Sequence, residues 1–290
     1  MTLQNKFDIA KKLFEKGDIK DGYHIGHKVY YAYMTNQEWS DFIYKMPKEI
    51  NDNFKNGDGK ELEQKKHSSG CELPPKMCSY GSSSRMLYQL AWNIPKFKFE
   101  HKLHTIIGGD ANIDGYLEKD NIYIEAKCRE IYGSINSQIS NKYDELYEYI
   151  SQKDNRFSFV RYGKNVTFKW EENNIELFDI KQIICHLLGI ANSNLKNGKI
   201  QNIVFLYLVY DPKELNFNKA EDRDAIIKLW NQEKSEAEKV DYKALYYHIA
   251  KFLHEKKGIG QNIHQTQIEE MGKWFSFNFC TQTDFPTFFD

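Results

Sequence analysis

Asp114, Glu125 and Lys127 are the residues of this chain whose types and spacing point most directly to chemistry. Glu125 and Lys127 lie two apart in the run IYIEAK, and on a strand side chains two apart share a face. Ile124 and Ala126 then point the other way, into a core. Asp114 stands upstream across the turn-forming KDN, so a tight hairpin brings it beside them. Two carboxylates and an ammonium on one edge of a hairpin suit a hard divalent ion. Mg²⁺ prefers oxygen ligands, keeps several waters, and is held by one or two carboxylates plus phosphate oxygens. The carbonyl of Ala126, between the two side chains, is a further ligand candidate. Such an ion can polarise a phosphodiester, acidify a bound water and orient the attack. Lys127 adds positive charge near the attacking water or the developing negative charge. Taken alone, a Glu-x-Lys pair is commonly a solvated salt link worth little. The upstream Asp, the intervening turn and the order of the surrounding elements favour the catalytic reading.

The elements that must position these residues read as follows. SSSRMLYQLAWN begins with serines suited to an N-cap and carries Met86, Leu87, Leu90 and Ala91 at helical spacing, with Pro95 as its stop. FKFEHKLHTII sets Phe97, Phe99 and Leu103 against Lys98, Glu100 and Lys102, which is strand periodicity. Residues 111–118 and 122–127 form two more strands. A helix over 137–152 and a hairpin of RFSFVRY with VTFKW follow. IKQIICHLLGIAN has amphipathic helical spacing, and IVFLYLVYD is a continuous apolar run expected in a strand covered on both faces. The remainder predicts a charged helix over about 219–240, a helix through LYYHIAKFLH and a last aromatic strand, KWFSFNF. Without the insertion after Lys127 the order is helix, strand, strand, strand, helix, strand, which predicts an α/β fold with a mixed central sheet flanked by helices.

NIDGYLEKDNIYIEAK resembles the D-(x)n-E-x-K signature of the PD-(D/E)xK nuclease superfamily, whose core is the restriction-endonuclease-like fold. The wider stretch, from SSSRMLYQLAWN through FEHKLHT and EAKCREIYG to IKQIICHLLGIAN, is similar to uncharacterised bacterial restriction-endonuclease-like proteins. The resemblance covers roughly residues 82–210. It implies an αβββαβ core and a Mg²⁺-dependent endonuclease (with Mn²⁺ as substitute) acting on double-stranded DNA, in a restriction or other defence system. It implies that Asp114 and Glu125 bind the metal and that Lys127 completes the catalytic set. Ile113 stands where the signature has Pro. The acidic residue and the Gln that many members add correspond here to Glu100 and Gln182 as supporting residues. Double-strand cleavage by one such centre commonly takes two copies, so a homodimer is an expected partner arrangement. The rival function is a nucleic-acid-binding or assembly module that keeps the fold without turnover.

Glu100, between Lys98 and Lys102, fits an ion-pair ladder as well as a metal site. Gln182 and His186 are four apart and share a helix face; the balance favours a role for Gln182 and none for His186. Ser83, Ser84 and Arg85 suit a phosphate at a helix N-terminus, or a plain N-cap. His67, Cys71 and Cys78 match no zinc spacing. Glu130, close behind the strand, fits either a supporting place at the site or a pair with Arg129, and is not counted in the catalytic set. The stretch KFLHEKKGIGQ reads as a helix C-terminus followed by a Gly stop. Tyr31, Trp92 and Trp230 read as core aromatics before base-stacking ones.

Composition narrows the class. At 290 residues, with 41% hydrophobic and 15% aromatic residues, the chain can bury a core. Its net charge of −1, from 40 basic and 41 acidic residues, argues against a protein that coats nucleic acid nonspecifically. It leaves room for an enzyme with a local basic cleft. Five scattered cysteines are no disulfide framework. The first residues lack a signal-peptide core, and no apolar run approaches the roughly 20 residues of a membrane span. A reducing, cytoplasmic location is expected, without a membrane. Residues 1–50 read as helical and 51–81 as loop, together a helical and loop extension over residues 1–80. Residues 81–290 form the nuclease-like domain with C-terminal elaborations, the whole making one compact unit.

Overall fold

The structure is a computed structural model that describes residues 22–25, 28–32, 34, 36–57, 60–66, 72–79, 82–128, 140–163, 165–171, 173–174, 180–200, 202–211, 213 and 220–288. In chain order it opens with an antiparallel hairpin, β1 (Gly22–Ile25) and β2 (Lys28–Ala32). Helices α1 (Asn36–Lys45) and α2 (Lys48–Asn56) follow, then the two-residue pair β3 (Lys65–Lys66) and β4 (Glu72–Leu73). Next come α3 (Ser83–Ala91), β5 (Phe97–Leu103), β6 (Ala111–Leu117) and β7 (Ile122–Lys127). An insertion supplies α4 (Asp144–Lys153), β8 (Phe157–Tyr162), β9 (Asn165–Trp170) and β10 (Asn173–Asn174). The chain continues with α5 (Ile180–Asn197), β11 (Ile203–Val209), α6 (Ala220–Glu238), α7 (Tyr242–Lys257), α8 (Gln265–Met271) and β12 (Phe275–Thr281).

The expected order of helix, three strands, helix and strand runs through α3, β5, β6, β7, α5 and β11. One five-stranded mixed sheet carries it, in the order β12-β11-β7-β6-β5. β5, β6 and β7 pair antiparallel, whereas β7, β11 and β12 pair parallel. The final strand thus extends the sheet beyond the core that the sequence outlines over 82–210. Parallel pairing puts β7 and β11 in the middle with both faces covered, which is why their sequences are continuously apolar or buried. On one face Ile122, Ile124, Ala126, Leu206 and Leu208 pack with Met86, Leu87 and Ala91 of α3 and with Ile50 and Phe54 of α2. On the other, Tyr123, Phe205, Tyr207 and Val209 pack with Ile183, Ile184, Leu187 and Leu188 of α5 and with α7. Each fully buried aliphatic side chain contributes roughly 1.5–3 kcal/mol. The α5 row therefore outweighs the several kcal/mol that burying a charged pair beneath it costs.

Several local expectations are corrected. Residues 22–25 and 28–32 are paired antiparallel strands within a stretch expected to be helical, and the helical expectation for residues 9–14 lies outside the described residues. Residues 51–81 are not all loop: α2 runs to Asn56, because Ile50 and Phe54 share an apolar face. The helix expected from Ser137 starts at Asp144, after a short 3₁₀ turn over Asn141–Tyr143. β5 does not keep one alternation: Phe97 and Phe99 face α3, whereas Leu103 faces α5. The slip falls at Glu100, which has φ of 52°, a left-handed conformation uncommon outside Gly, Asn and Asp. β6 slips at the matching place. Ile113 packs on the α5 side, while a Cβ on Gly115 would meet Phe97 and Leu87 on the α3 side. Register pairs Phe99 with Gly115 and His101 with Ile113, leaving Glu100 and Asp114 out of the ladder between them. Among the described residues no helix is long and apolar enough to cross a membrane.

Candidate active site

The β6–β7 ladder ends where the chemistry-bearing residues begin. Its last pair is Gly115 with Ile124, yet β7 continues to Lys127 along β11, where Tyr207, Leu208 and Val209 stand beside Glu125, Ala126 and Lys127. The β6 side of Ala126 is thus left without a strand partner. Asp114 supplies one: its Oδ2 accepts the Ala126 N–H at 2.7 Å. The register of β5 and β6 is the same on both sides of Glu100 and Asp114, so it is the flip of facing at this pair, with no inserted residue, that accompanies the turn of the Asp114 carboxylate toward β7.

Glu125 and Lys127 share a face, as strand alternation requires. That face is not an exposed edge of the hairpin. It lies beneath α5, with Glu125 1% and Lys127 8% exposed. The Lys127 ammonium donates to Glu125 Oε1 at 2.5 Å and to Gln182 Oε1 on α5 at 2.7 Å. His186, one turn further along α5, places Nε2 3.0 Å from Glu125 Oε2. The two atoms are in contact, and among the described residues neither Oε2 nor either imidazole nitrogen makes a well-formed hydrogen bond. The structure thus brings Asp114, Glu125, Lys127 and Gln182 to one place. It adds His186, to which the sequence reading assigned no role; its four-residue spacing from Gln182 was the available signal.

Electrostatics separate the two carboxylates. Burial, and then the adjacent Glu125 charge, hold Asp114 well above the usual carboxylate range, with Glu100 adding to the push. Burial also pushes Glu125 upward, but Lys127 and His186 outweigh it and bring that carboxyl down to about 2. Glu125 is therefore the more readily ionised member, and Asp114 holds its proton more tightly than an ordinary carboxyl. A cation placed between them would relieve this repulsion. Glu100 belongs to the same acidic neighbourhood, its side chain lying against Gly57, where an added Cβ would be 3.0 Å from Glu100 Cβ.

No known family model, characterised protein or solved structure matches the chain. What the arrangement can do is therefore read from its own atoms. Among the described residues no three carboxylate, imidazole or thiol groups converge on one point, so the site offers two carboxylates and an ammonium. Such a set suits an ion that keeps much of its water.

The remaining candidates take structural places. Ser82 caps α3 by accepting the Arg85 N–H at 3.2 Å, Ser84 is buried, and the Arg85 guanidinium donates to the Ser79 carbonyl at 3.4 Å. Cys78 is a buried free thiol, while His67, Cys71, Arg129 and Glu130 lie outside the described residues. Trp230 is buried; Trp92 is 52% exposed, against the expectation of a core aromatic. His254, Lys256 and Lys257 close the last turn of α7 before Gly258 at φ 65°, as a helix terminus does.

Proposed function

We propose that the chain is a metal-dependent endonuclease that hydrolyses phosphodiester bonds in DNA, with Asp114, Glu125 and Lys127 as its catalytic set. The observation that carries this reading is the meeting of a buried Glu–Lys pair with an Asp carboxylate from the neighbouring strand, at the point where the two strands part. The likeness of NIDGYLEKDNIYIEAK to the PD-(D/E)xK signature supports it.

The residues fit a divalent ion. The neighbouring Asp114 and Glu125 carboxylates repel one another, which a cation would relieve, and each carboxylate oxygen has a lone pair beyond the one its present partner takes. Asp114 and Glu125 would hold Mg²⁺, or Mn²⁺ in its place. The ion supplies charge neutralisation at the phosphate and a more acidic water. Lys127 stabilises negative charge growing on the phosphate oxygens, and Gln182 fixes the ammonium in position. In the net reaction a water oxygen bonds to phosphorus, the bond from phosphorus to one sugar oxygen breaks, and a proton passes from the water to the departing oxygen.

The test is incubation of the purified chain with plasmid DNA and, separately, with RNA, in Mg²⁺, in Mn²⁺ and in EDTA. The proposal expects DNA cleavage that requires metal and is lost in Asp114→Ala and Lys127→Ala. Metal-independent binding that survives both substitutions, without cleavage, identifies a binding module instead.

A further inference from the structure

We propose that His186 is a positioning residue that sets the orientation of the Glu125 carboxylate, an inference that rests on the nuclease reading. The observation is an unsatisfied pair. His186 is 2% exposed, its two ring nitrogens have no hydrogen-bond partner among the described residues, and Nε2 stands 3.0 Å from a Glu125 oxygen in the same condition. Buried polar atoms without partners are rare in native proteins and call for a specific explanation.

Among the described residues, Glu125 is the polar group beside the imidazole. Phe205 of β11 lies beside the ring, with centroids 6.2 Å apart, and aliphatic neighbours on α5 pack in the same core. The other Glu125 oxygen, Oε1, already accepts from Lys127. The terminal carboxylate torsion of Glu is soft, so a small rotation aligns Oε2 with a hydrogen on Nε2. One face of α5 then holds both members of the buried pair: Gln182 holds Lys127, and His186 holds Glu125. Carboxylates that bind metals are themselves held by hydrogen bonds, and loss of such a partner costs about 10–100-fold in metal affinity or activity.

The experiment reads binding and needs no turnover. Mn²⁺ is titrated calorimetrically into the full chain as wild type, His186→Phe and His186→Gln, with melting temperatures recorded in parallel. Phe fills the space without a donor, whereas the Gln amide can still donate to Glu125. The expected result is a loss of about 10–100-fold in Mn²⁺ affinity for His186→Phe, largely restored in His186→Gln, with melting temperatures that do not follow the affinities. If the Phe variant does not fold, His186→Leu takes its place. Wild-type affinity in every variant, or a loss in Phe that Gln does not restore, overturns the positioning role and leaves the nuclease reading standing. A wild-type chain that binds no Mn²⁺ overturns the nuclease reading itself, and the inference with it.

Discussion

The Asp114 carboxylate takes the place of a missing strand: its Oδ2 accepts at 2.7 Å the N–H of Ala126, two residues beyond Ile124 of the last β6–β7 ladder pair. A backbone donor that would otherwise be orphaned in a buried sheet is satisfied by an acidic side chain. The same contact fixes Asp114 next to Glu125, where its charge is unfavourable. Structure and chemistry therefore pull in opposite directions at this residue.

That tension is measurable with Asp114→Asn. The Asn oxygen can still accept the Ala126 N–H, while the repelling charge is gone. Asp114 is raised above its ordinary value in the folded state, so its proton is held more tightly folded than unfolded. The stability this provides is present at low pH and is lost as pH rises through the raised value. The variant should melt above wild type at pH 8 without metal, and the gain should shrink toward acid pH. Added Mn²⁺ should raise the melting temperature of wild type and leave that of the variant nearly unmoved. Thermal denaturation across pH, with and without Mn²⁺, checks all three expectations.

Lys127→Met removes one partner of a buried pair and leaves Glu125 uncompensated. Such a change costs about 3–5 kcal/mol, read by urea unfolding. Glu125→Gln combined with Lys127→Met should recover much of that loss, while cleavage stays lost, since a metal ligand and the stabilising ammonium are both gone. Recovery of stability without recovery of cleavage separates the two roles of the pair.

Gly189 tests the packing that holds α5 over the site. A Cβ there would sit 2.6 Å from Leu103 Cβ and 3.5 Å from Ala111 Cβ. Ala is the better helix former by about 1 kcal/mol, so propensity alone predicts stabilisation. Overpacking, worth about 1–3 kcal/mol, should win, making Gly189→Ala less stable. It should also weaken Mn²⁺ binding by moving Gln182 and His186. Denaturant midpoints and calorimetry on one preparation check both.

His101 stacks on Tyr116 with centroids 4.4 Å apart, and burial, with Lys98 adding to it, lowers its pKa to about 4. The unfolded chain takes up a proton below its ordinary 6.5, whereas the folded chain waits until about 4. Stability should therefore fall as pH drops between those values, by at most about 3.5 kcal/mol at about 1.4 kcal/mol per unit. His101→Phe keeps the stack and should flatten that slope in urea unfolding at pH 7, 5.5 and 4.5.

Much of the arrangement was legible in the residues. The bounds of β7 and the helical face shared by Gln182 and His186 follow from strand and helix periodicity. The meeting of Asp114 with Glu125 follows from a short turn. What periodicity could not show is a break in itself: Phe97, Phe99 and Leu103 read as one face, and only the backbone at Glu100 reveals the slip. Burial of the Glu125–Lys127 face was missed for a related reason. Charged residues on a strand predict solvent, and the helix covering them is called for by apolar residues some sixty positions away in sequence. His186 was passed over because an imidazole on an apolar helix has no partner visible in its own neighbourhood. β12 joins the sheet through parallel pairing with β11, a long-range contact with no local signal.

The most direct measurement is anomalous scattering from a crystal of the chain soaked in Mn²⁺. The account predicts a manganese peak about 2 Å from a carboxylate oxygen of both Asp114 and Glu125, with Lys127 alongside. Density showing Asp114 still on the Ala126 N–H and no manganese at either carboxylate, at high Mn²⁺, would contradict it.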